Sequence, residues 1–133
     1  MHLATANGRL MSTREIAAIH DAKYNHLAKV TQWLSNEGYI ETIRGRSGGI
    51  ALARNADQIC VGTLVRKLES QTALVDCMRD DHGTCRLAAA CGLASVLKEA
   101  EESFFKCLDQ YTLADVIKRQ SGMFDLLTSL NIE

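Results

Sequence analysis

Residues 24–54, YNHLAKVTQWLSNEGYIETIRGRSGGIALAR, decide the fold. Leu27, Val30 and Leu34 recur at three- and four-residue spacing with Trp33 beside them, which predicts a helix from about Tyr24 to Glu37. Its other face displays Asn25, His26, Lys29 and Gln32, and Gly38 supplies the C-terminal stop. Tyr39, Ile40, Thr42 and Ile43 then make a short strand. Arg44-Gly45-Arg46-Ser47-Gly48-Gly49 makes a flexible basic tip, and Ile50-Ala51-Leu52 starts a returning strand. The product is a β-hairpin with guanidinium groups at its end. Its glycines allow close backbone approach to a groove, and its arginines can enter a narrow minor groove or meet phosphates. An ordinary solvated Gly-rich turn has the same composition, so the hairpin takes its meaning from the helix before it.

Upstream, RLMSTREIAAIH (9–20) contains a helix start. Ser12 or Thr13 can cap, and Glu15 stands three residues after Ser12, as a capping box requires. Ile16 and Ile19 face one way, and the helix is expected to end near His20. With a brief turn at Asp21–Lys23, two helices and a hairpin read as a winged helix-turn-helix. Downstream, Ile59 to Leu68 reads as a short amphipathic helix with Val61, Leu64, Val65 and Leu68 on its buried side. From Gln71 to about Ala90 the helical period is lost.

A long helix follows from about Gly92 to Gln110. Leu93, Val96/Leu97, Ala100, Phe104, Leu108 and Tyr111 keep an apolar stripe opposite Lys98, Glu99, Glu101, Glu102 and Lys106. A helix this long outruns so small a globule, and pairing in a dimer covers it. The tail, Thr112–Arg119 and Met123–Leu130, reads as two short helices. The expected class is therefore mostly α with a β-hairpin wing: a winged helix-turn-helix over residues 1–70, a cysteine-bearing loop over 71–91, a dimerisation helix over 92–111, and C-terminal helices over 112–133 that pack on the dimer or the DNA-binding domain.

Across its 133 residues the chain carries 47% hydrophobic and 23% charged residues and a formal charge of -1, which excludes a uniformly basic nucleic-acid coat. The average hides a polarity: seven basic against four acidic side chains lie in residues 1–54, and eight against twelve in 55–133. No apolar run approaches the ~20 residues needed to cross a bilayer, and MHLATANGRLMSTREI has no signal-peptide core, so a cytoplasmic protein without a membrane partner is expected. Three Phe, three Tyr and one Trp are too few for an aromatic single-strand-binding sheet. An enzyme is not expected. No paired carboxylates, activated Ser/His arrangement or phosphate-binding loop stands at useful spacing, and GRSGG lacks the strand-to-helix context and lysine of a nucleotide loop. A structural adaptor dimer that binds no DNA is the competing class.

Five cysteines is an odd number, and a reducing compartment argues against a disulfide framework. Cys77, Cys85 and Cys91 lie within VDCMRDDHGTCRLAAACGL, the first interval polar and loop-like with Asp80, Asp81, His82 and Gly83. Three cysteines within fifteen residues suggest a metal or an iron–sulfur cluster. Three thiolates leave one position on a four-iron cluster for a non-Cys or exchangeable ligand, as a sensor requires. A zinc site completed by His82, a thiol switch using Cys77 with Cys85 or Cys91, and three unliganded cysteines stay open as alternatives. Cys107 and Cys60 read as packing residues. His2, His20 and His26 are poor ligand candidates, and His26 is better placed to touch DNA.

NHLAKV at 25–30, GYIETIRGRSGGIALAR at 38–54, the cysteine triad and LDQYTLADVI at 108–117 together resemble the Rrf2 family of bacterial winged-helix regulators over nearly the whole chain. The likeness is greatest to its branch of nitric-oxide-sensing repressors, and an iron-responsive branch shares a similar cysteine arrangement. The resemblance implies a homodimer on a palindromic double-stranded operator, with a [4Fe–4S] or [2Fe–2S] cluster on Cys77, Cys85 and Cys91. It implies that the helix around Asn25, His26 and Lys29 enters the major groove, and that Arg44, Arg46 and Ser47 of the wing enter the minor groove. Nitric oxide is then the expected signal, releasing DNA. Iron supply, cluster status or oxidants are the alternative signals. The family pattern also places a helix ahead of the segment matching Met1–Asn7. That sets the expectation of a start upstream of Met1, or else of a chain that has lost part of its core and its fourth cluster ligand, with Met1-His2-Leu3 as the helix's stub and Ile16, Ile19 and Trp33 short of cover.

Overall fold

The computed structural model describes residues 1–6, 8–45, 47–69, 74–78, 85–87, 90–119, 122, 125–126 and 129–130. In chain order the elements are α1 (His2–Thr5), α2 (Thr13–Ile19), α3 (Tyr24–Asn36), β1 (Ile40–Ile43), β2 (Gly49–Leu52), a 3-10 turn (Ala56–Gln58), α4 (Val61–Glu69), a second 3-10 turn (Asp76–Met78), α5 (Gly92–Leu108) and α6 (Leu113–Lys118). The fold is mostly helical with one small antiparallel hairpin, as the sequence predicts. The chain divides into two compact units: Met1–Ile59 with Thr112–Glu133, and Cys60–Tyr111.

In the first unit the hairpin runs in the register Ile40↔Leu52 to Ile43↔Gly49. A third backbone segment joins it. Met11 bridges Ile50, its N–H donating to the Ile50 carbonyl at 3.2 Å and its carbonyl accepting from Ile50 N–H at 2.8 Å. This bridge places Met11 at the centre of the core, 0% exposed, among the buried Ile16, Ala17, Tyr39, Ile40, Ile50, Ile59 and Ile117. Gly49 is required beside the bridge, because a Cβ there would stand 2.9 Å from the Met11 carbonyl oxygen and 3.0 Å from the Leu10 Cβ.

The N-terminal residues form the short α1, with His2 and Thr5 buried and the Thr5 hydroxyl donating to the His2 carbonyl at 3.0 Å. Ile16 is buried, contrary to the expected loss of cover, while Ile19 and Trp33 are half-buried. At the other end of the unit, α6 opens with a capping box between Thr112 and Asp115. Leu113 N–H donates to the Ile59 carbonyl at 2.8 Å, which sets α6 against the Ala56–Gln58 turn. The second tail helix expected at Met123–Leu130 lies largely outside the described residues.

In the second unit α4 meets α5 at a glycine. A Cβ on Gly62 would strike the Asp109 carboxylate and stand 2.6 Å from its backbone nitrogen, so only glycine permits this approach. Val61 N–H donates to the Tyr111 carbonyl at 2.9 Å, and Arg66 pairs with Asp109 at 2.6 Å while stacking over the Phe105 ring. Contact is thus made through Val61, Gly62 and Arg66 of α4. Leu68, expected on the buried side, is exposed near its far end.

The apolar stripe expected on α5 proves to be two. Leu97, Phe105 and Leu108 are half-buried, whereas Leu93, Val96, Ala100 and Phe104 are exposed, Leu93 by 63% and Phe104 by 55%. No α5 residue is buried. No helix among the described residues is long and apolar enough to cross a membrane.

Candidate functional site

The helix-turn-helix begins at the capping box the sequence predicts. Glu15 N–H donates to Ser12 Oγ at 3.0 Å, Ser12 N–H donates to the Glu15 carboxylate at 3.3 Å, and Arg9 pairs with the same carboxylate at 2.9 Å. Beyond α2 the chain turns through Asp21 at φ 47°, a left-handed conformation that Asp tolerates better than most side chains. Ala22 N–H donates to the Ala17 carbonyl at 2.8 Å and closes the turn. The second helix, α3, packs on α2.

Leu27, Ala28, Val30 and Leu34 of α3 are half-buried, and Asn25, His26 and Lys29 are exposed. The three predicted reading residues therefore occupy successive exposed positions on the first two turns of α3. Tyr24, the first residue of α3, is exposed as well, and the Arg14 guanidinium lies 5.3 Å over its ring.

A clamp that sequence reasoning missed holds the other end of α3. Arg54, just past β2, donates from Nε to the Gly38 carbonyl at 2.9 Å and from Nη2 to the Glu37 carbonyl at 3.5 Å. Its guanidinium also lies 5.0 Å over the Tyr39 ring, which stacks in turn on Trp33 at 6.3 Å. One side chain thus ties the C-terminal end of α3 to the base of the hairpin. The sequence carried a partial signal in Gly38, which adopts φ 71° as a helix-stopping glycine should. Nothing in the period of residues 50–54 marks Arg54 as its partner.

At the wing tip, Gly45 has φ 127° and its carbonyl accepts from Gly48 N–H at 3.0 Å. A side chain on Gly48 would collide with the Ile43 carbonyl. The tip is therefore a tight glycine-built turn, with Arg44 and Ser47 exposed on it. Arg46 lies outside the described residues.

The predicted cluster ligands fall in the second unit. Cys77 is half-buried in the Asp76–Met78 turn, Cys85 is exposed, and Cys91 is half-buried as the N-terminal flank of α5; all three are free thiols. The Asp76–Met78 turn packs against α5. Among the described residues no three His, Cys, Asp or Glu side chains gather closely enough to hold a metal ion. The structure thus brings Cys77 and Cys91 to elements that touch, but it does not assemble a coordination sphere. The donor chemistry nonetheless fits an iron–sulfur cluster. Three thiols remain unspent on disulfides, and thiolate sulfur is the donor such clusters take. Asp80, Asp81, His82 and Gly83, including the alternative zinc ligand, lie outside the described residues.

The remaining candidates have other partners. Cys60, expected as a packing residue, is half-buried at the start of α4, its thiol donating to the Asp109 carbonyl at 3.7 Å. Hydrogen bonds from Thr63, side chain first, hold that thiol below its ordinary pKa. Cys107 is exposed. His2 and His20 engage each other, Nδ1 to Nε2 at 2.9 Å, with the rings edge to face.

The Rrf2 family model, described as an iron-dependent transcriptional regulator, matches residues 1–119. The chain is 40% identical to the HTH-type transcriptional regulator NsrR of Halalkalibacterium halodurans over 119 residues, spanning 90% of this chain and 82% of that one. It is 39% identical to the regulator of the same name from Bacillus subtilis over 120 residues, again 90% of this chain and 82% of the relative. Among solved structures it is similar to T. potens IscR, with a TM-score of 0.67, 26% identity, and coverage of 88% of this chain and 76% of that one. It is likewise similar to CymR, the global cysteine regulator of B. subtilis, with a TM-score of 0.63, 27% identity, and coverage of 90% and 87%.

Proposed function

The chain belongs to the Rrf2 family of transcriptional regulators, and on that premise we propose that it is a homodimeric repressor releasing a palindromic operator when nitric oxide reaches an iron–sulfur cluster. It is a DNA-binding regulator of the NsrR-like type and not an enzyme. In this reading α3 lies in the major groove, which admits a helix and exposes a distinct donor–acceptor pattern for each base pair. Asn25 and Lys29 offer hydrogen-bond donors to base edges, and His26 stands beside them. Arg44, Arg46 and Ser47 enter the minor groove, where arginine is favoured by the negative potential of narrow, A·T-rich stretches. The observation that carries the reading is the pairing of an exposed α3 face with a glycine-built wing tip on one core.

Cys77, Cys85 and Cys91 would hold the cluster through their thiolates. A cluster with three protein ligands, [4Fe–4S] or [2Fe–2S], supplies when bound an iron that a small, neutral molecule can reach. The protein's part is to present three thiolates and leave one approach open. The exposed Leu93–Val96–Ala100–Phe104 face of α5 is where a second copy would pack, covering apolar surface that a single chain leaves in water.

Anaerobic purification followed by iron and sulfide analysis tests the cluster, and titration with nitric oxide while visible absorbance and DNA binding are read together tests the signal. A brown protein that bleaches and releases DNA in step is the expected result. A colourless anaerobic preparation without iron or sulfide would overturn the cluster. Cys85→Ser should lose iron and sulfide while staying folded, and Arg46→Ala should weaken DNA binding while keeping the cluster absorbance. The family's description as iron-dependent favours a second reading, in which iron supply or cluster status is the signal. Release of DNA on iron limitation, with no selective response to nitric oxide, would establish that one instead.

A further inference from the structure

Outside the predicted reading residues, the first unit displays an arginine set against the leading edge of α3. Arg14, the second residue of α2, is exposed, and its guanidinium carbon lies 5.3 Å over the centroid of the Tyr24 ring. Tyr24 is the first residue of α3, directly before Asn25 and His26, and is 47% exposed. A guanidinium stacked on an aromatic face keeps its N–H fork free at the edge, and stacking limits the rotamers the long side chain must give up on binding. The neighbouring acid does not compete for it, because Glu15 is held by Arg9 and by the Ser12 backbone N–H.

We propose that Arg14 is a DNA-phosphate contact, held in position by Tyr24, that fixes how α3 seats in the major groove. The inference rests on the DNA-binding reading above and adds to it a residue outside α3 and the wing. In helix-turn-helix proteins the first helix crosses the phosphate backbone while the second reads bases. Arg14 sits on that first helix, beside the end of α3 whose N-terminal residues reach base edges. A planar fork that donates two parallel N–H bonds suits a phosphate, and such contacts set register without carrying sequence information. Tyr24 acts through Arg14 and is a positioning residue.

The test uses the full chain and the duplex that the unaltered protein enriches from a random-sequence library, with binding measured across a salt series. Arg14→Gln should weaken binding about five- to tenfold at about 0.1 M salt and lower the slope of log affinity against log salt by about one per subunit. Arg14→Lys should keep that slope, since the charge remains. Tyr24→Leu should cost about two- to threefold with the slope kept, and Tyr24→Phe should behave as the unaltered chain, because the ring and not the hydroxyl carries the stacking. Far-ultraviolet dichroism and thermal midpoints should match throughout. An Arg14→Gln protein with unchanged affinity and slope would overturn the phosphate contact, as would a loss confined to particular bases. If the unaltered chain enriches no duplex, the DNA-binding reading itself falls, and this inference with it.

Discussion

Among the described residues, every buried apolar side chain belongs to Met1–Ile59 or to α6, and none belongs to Cys60–Tyr111. The first unit closes three backbone segments around Met11 and caps two of its helices with side chains. The second joins α4 to α5 through the close approach at Gly62 and the Arg66 side chain, and leaves an apolar face of α5 in water. A unit with its own core holds its geometry unaided. A unit whose described residues bury no apolar side chain takes stability from whatever binds it, by mass action.

The largest expected effect breaks the closed side. Met11→Ala should cost about 2–5 kcal/mol in urea unfolding of the full chain, the range for emptying a packed core site. A loss below about 1 kcal/mol would mean the core does not depend on that site. Next, Gly62→Ala should cost about 1–3 kcal/mol, because the new methyl meets the Asp109 backbone. Hydrogen exchange should show it as lost protection in α4 and α5 with α2 and α3 unchanged; uniform loss would erase the distinction between the units.

Phe104→Ser addresses the open face. It should raise the dissociation constant of the paired form by about tenfold, roughly 1.4 kcal/mol, and leave the unfolding of dilute chains unaltered. Sedimentation equilibrium reads the outcome, and unchanged association would remove this face from the dimer.

The smallest effect near neutral pH is protonic. Burial, with His20 beside it, holds the His2 imidazole below its ordinary pKa of 6.5, so the folded chain binds fewer protons there than the unfolded one. The stability from neutral His2 is full above about pH 6.5 and is lost as pH falls through the lower folded value, by at most about 1.4 kcal/mol per pH unit. His2→Phe should flatten unfolding free energy across that window. It should leave the separate loss below pH 3.8, where Asp115, its pKa lowered by Thr112 hydrogen bonds, takes up its proton.

The sequence disclosed what repeats or stands at fixed offsets. The Ser12–Glu15 box, α3, the hairpin and the break at Gly38 all follow from local chemistry, and each is found where expected. Met11 was missed because a one-residue bridge has no period. The Arg54 clamp was missed because its partners lie sixteen and seventeen residues away. The α5 stripe was read as one face because helical spacing reports apolar positions without saying how many partners divide them. At the candidate site, the exposure of Asn25, His26, Lys29, Arg44 and Ser47 was legible, whereas whether three thiols meet depends on loop conformation, which spacing does not encode.

The glycines of the wing bear on the freedom of this chain to vary. Gly48 and Gly49 are walled in by the backbone of Ile43, Gly45 and Met11, so neither site accepts a side chain without moving main chain. Arg44 and Ser47, between those fixed points, are exposed. A mutational scan should therefore find the wing's glycines fixed and the exposed positions beside them, Arg44 and Ser47, permissive. If the wing meets DNA as proposed, its preferences can change at Arg44 and Ser47 one residue at a time, each step starting from a molecule that still folds.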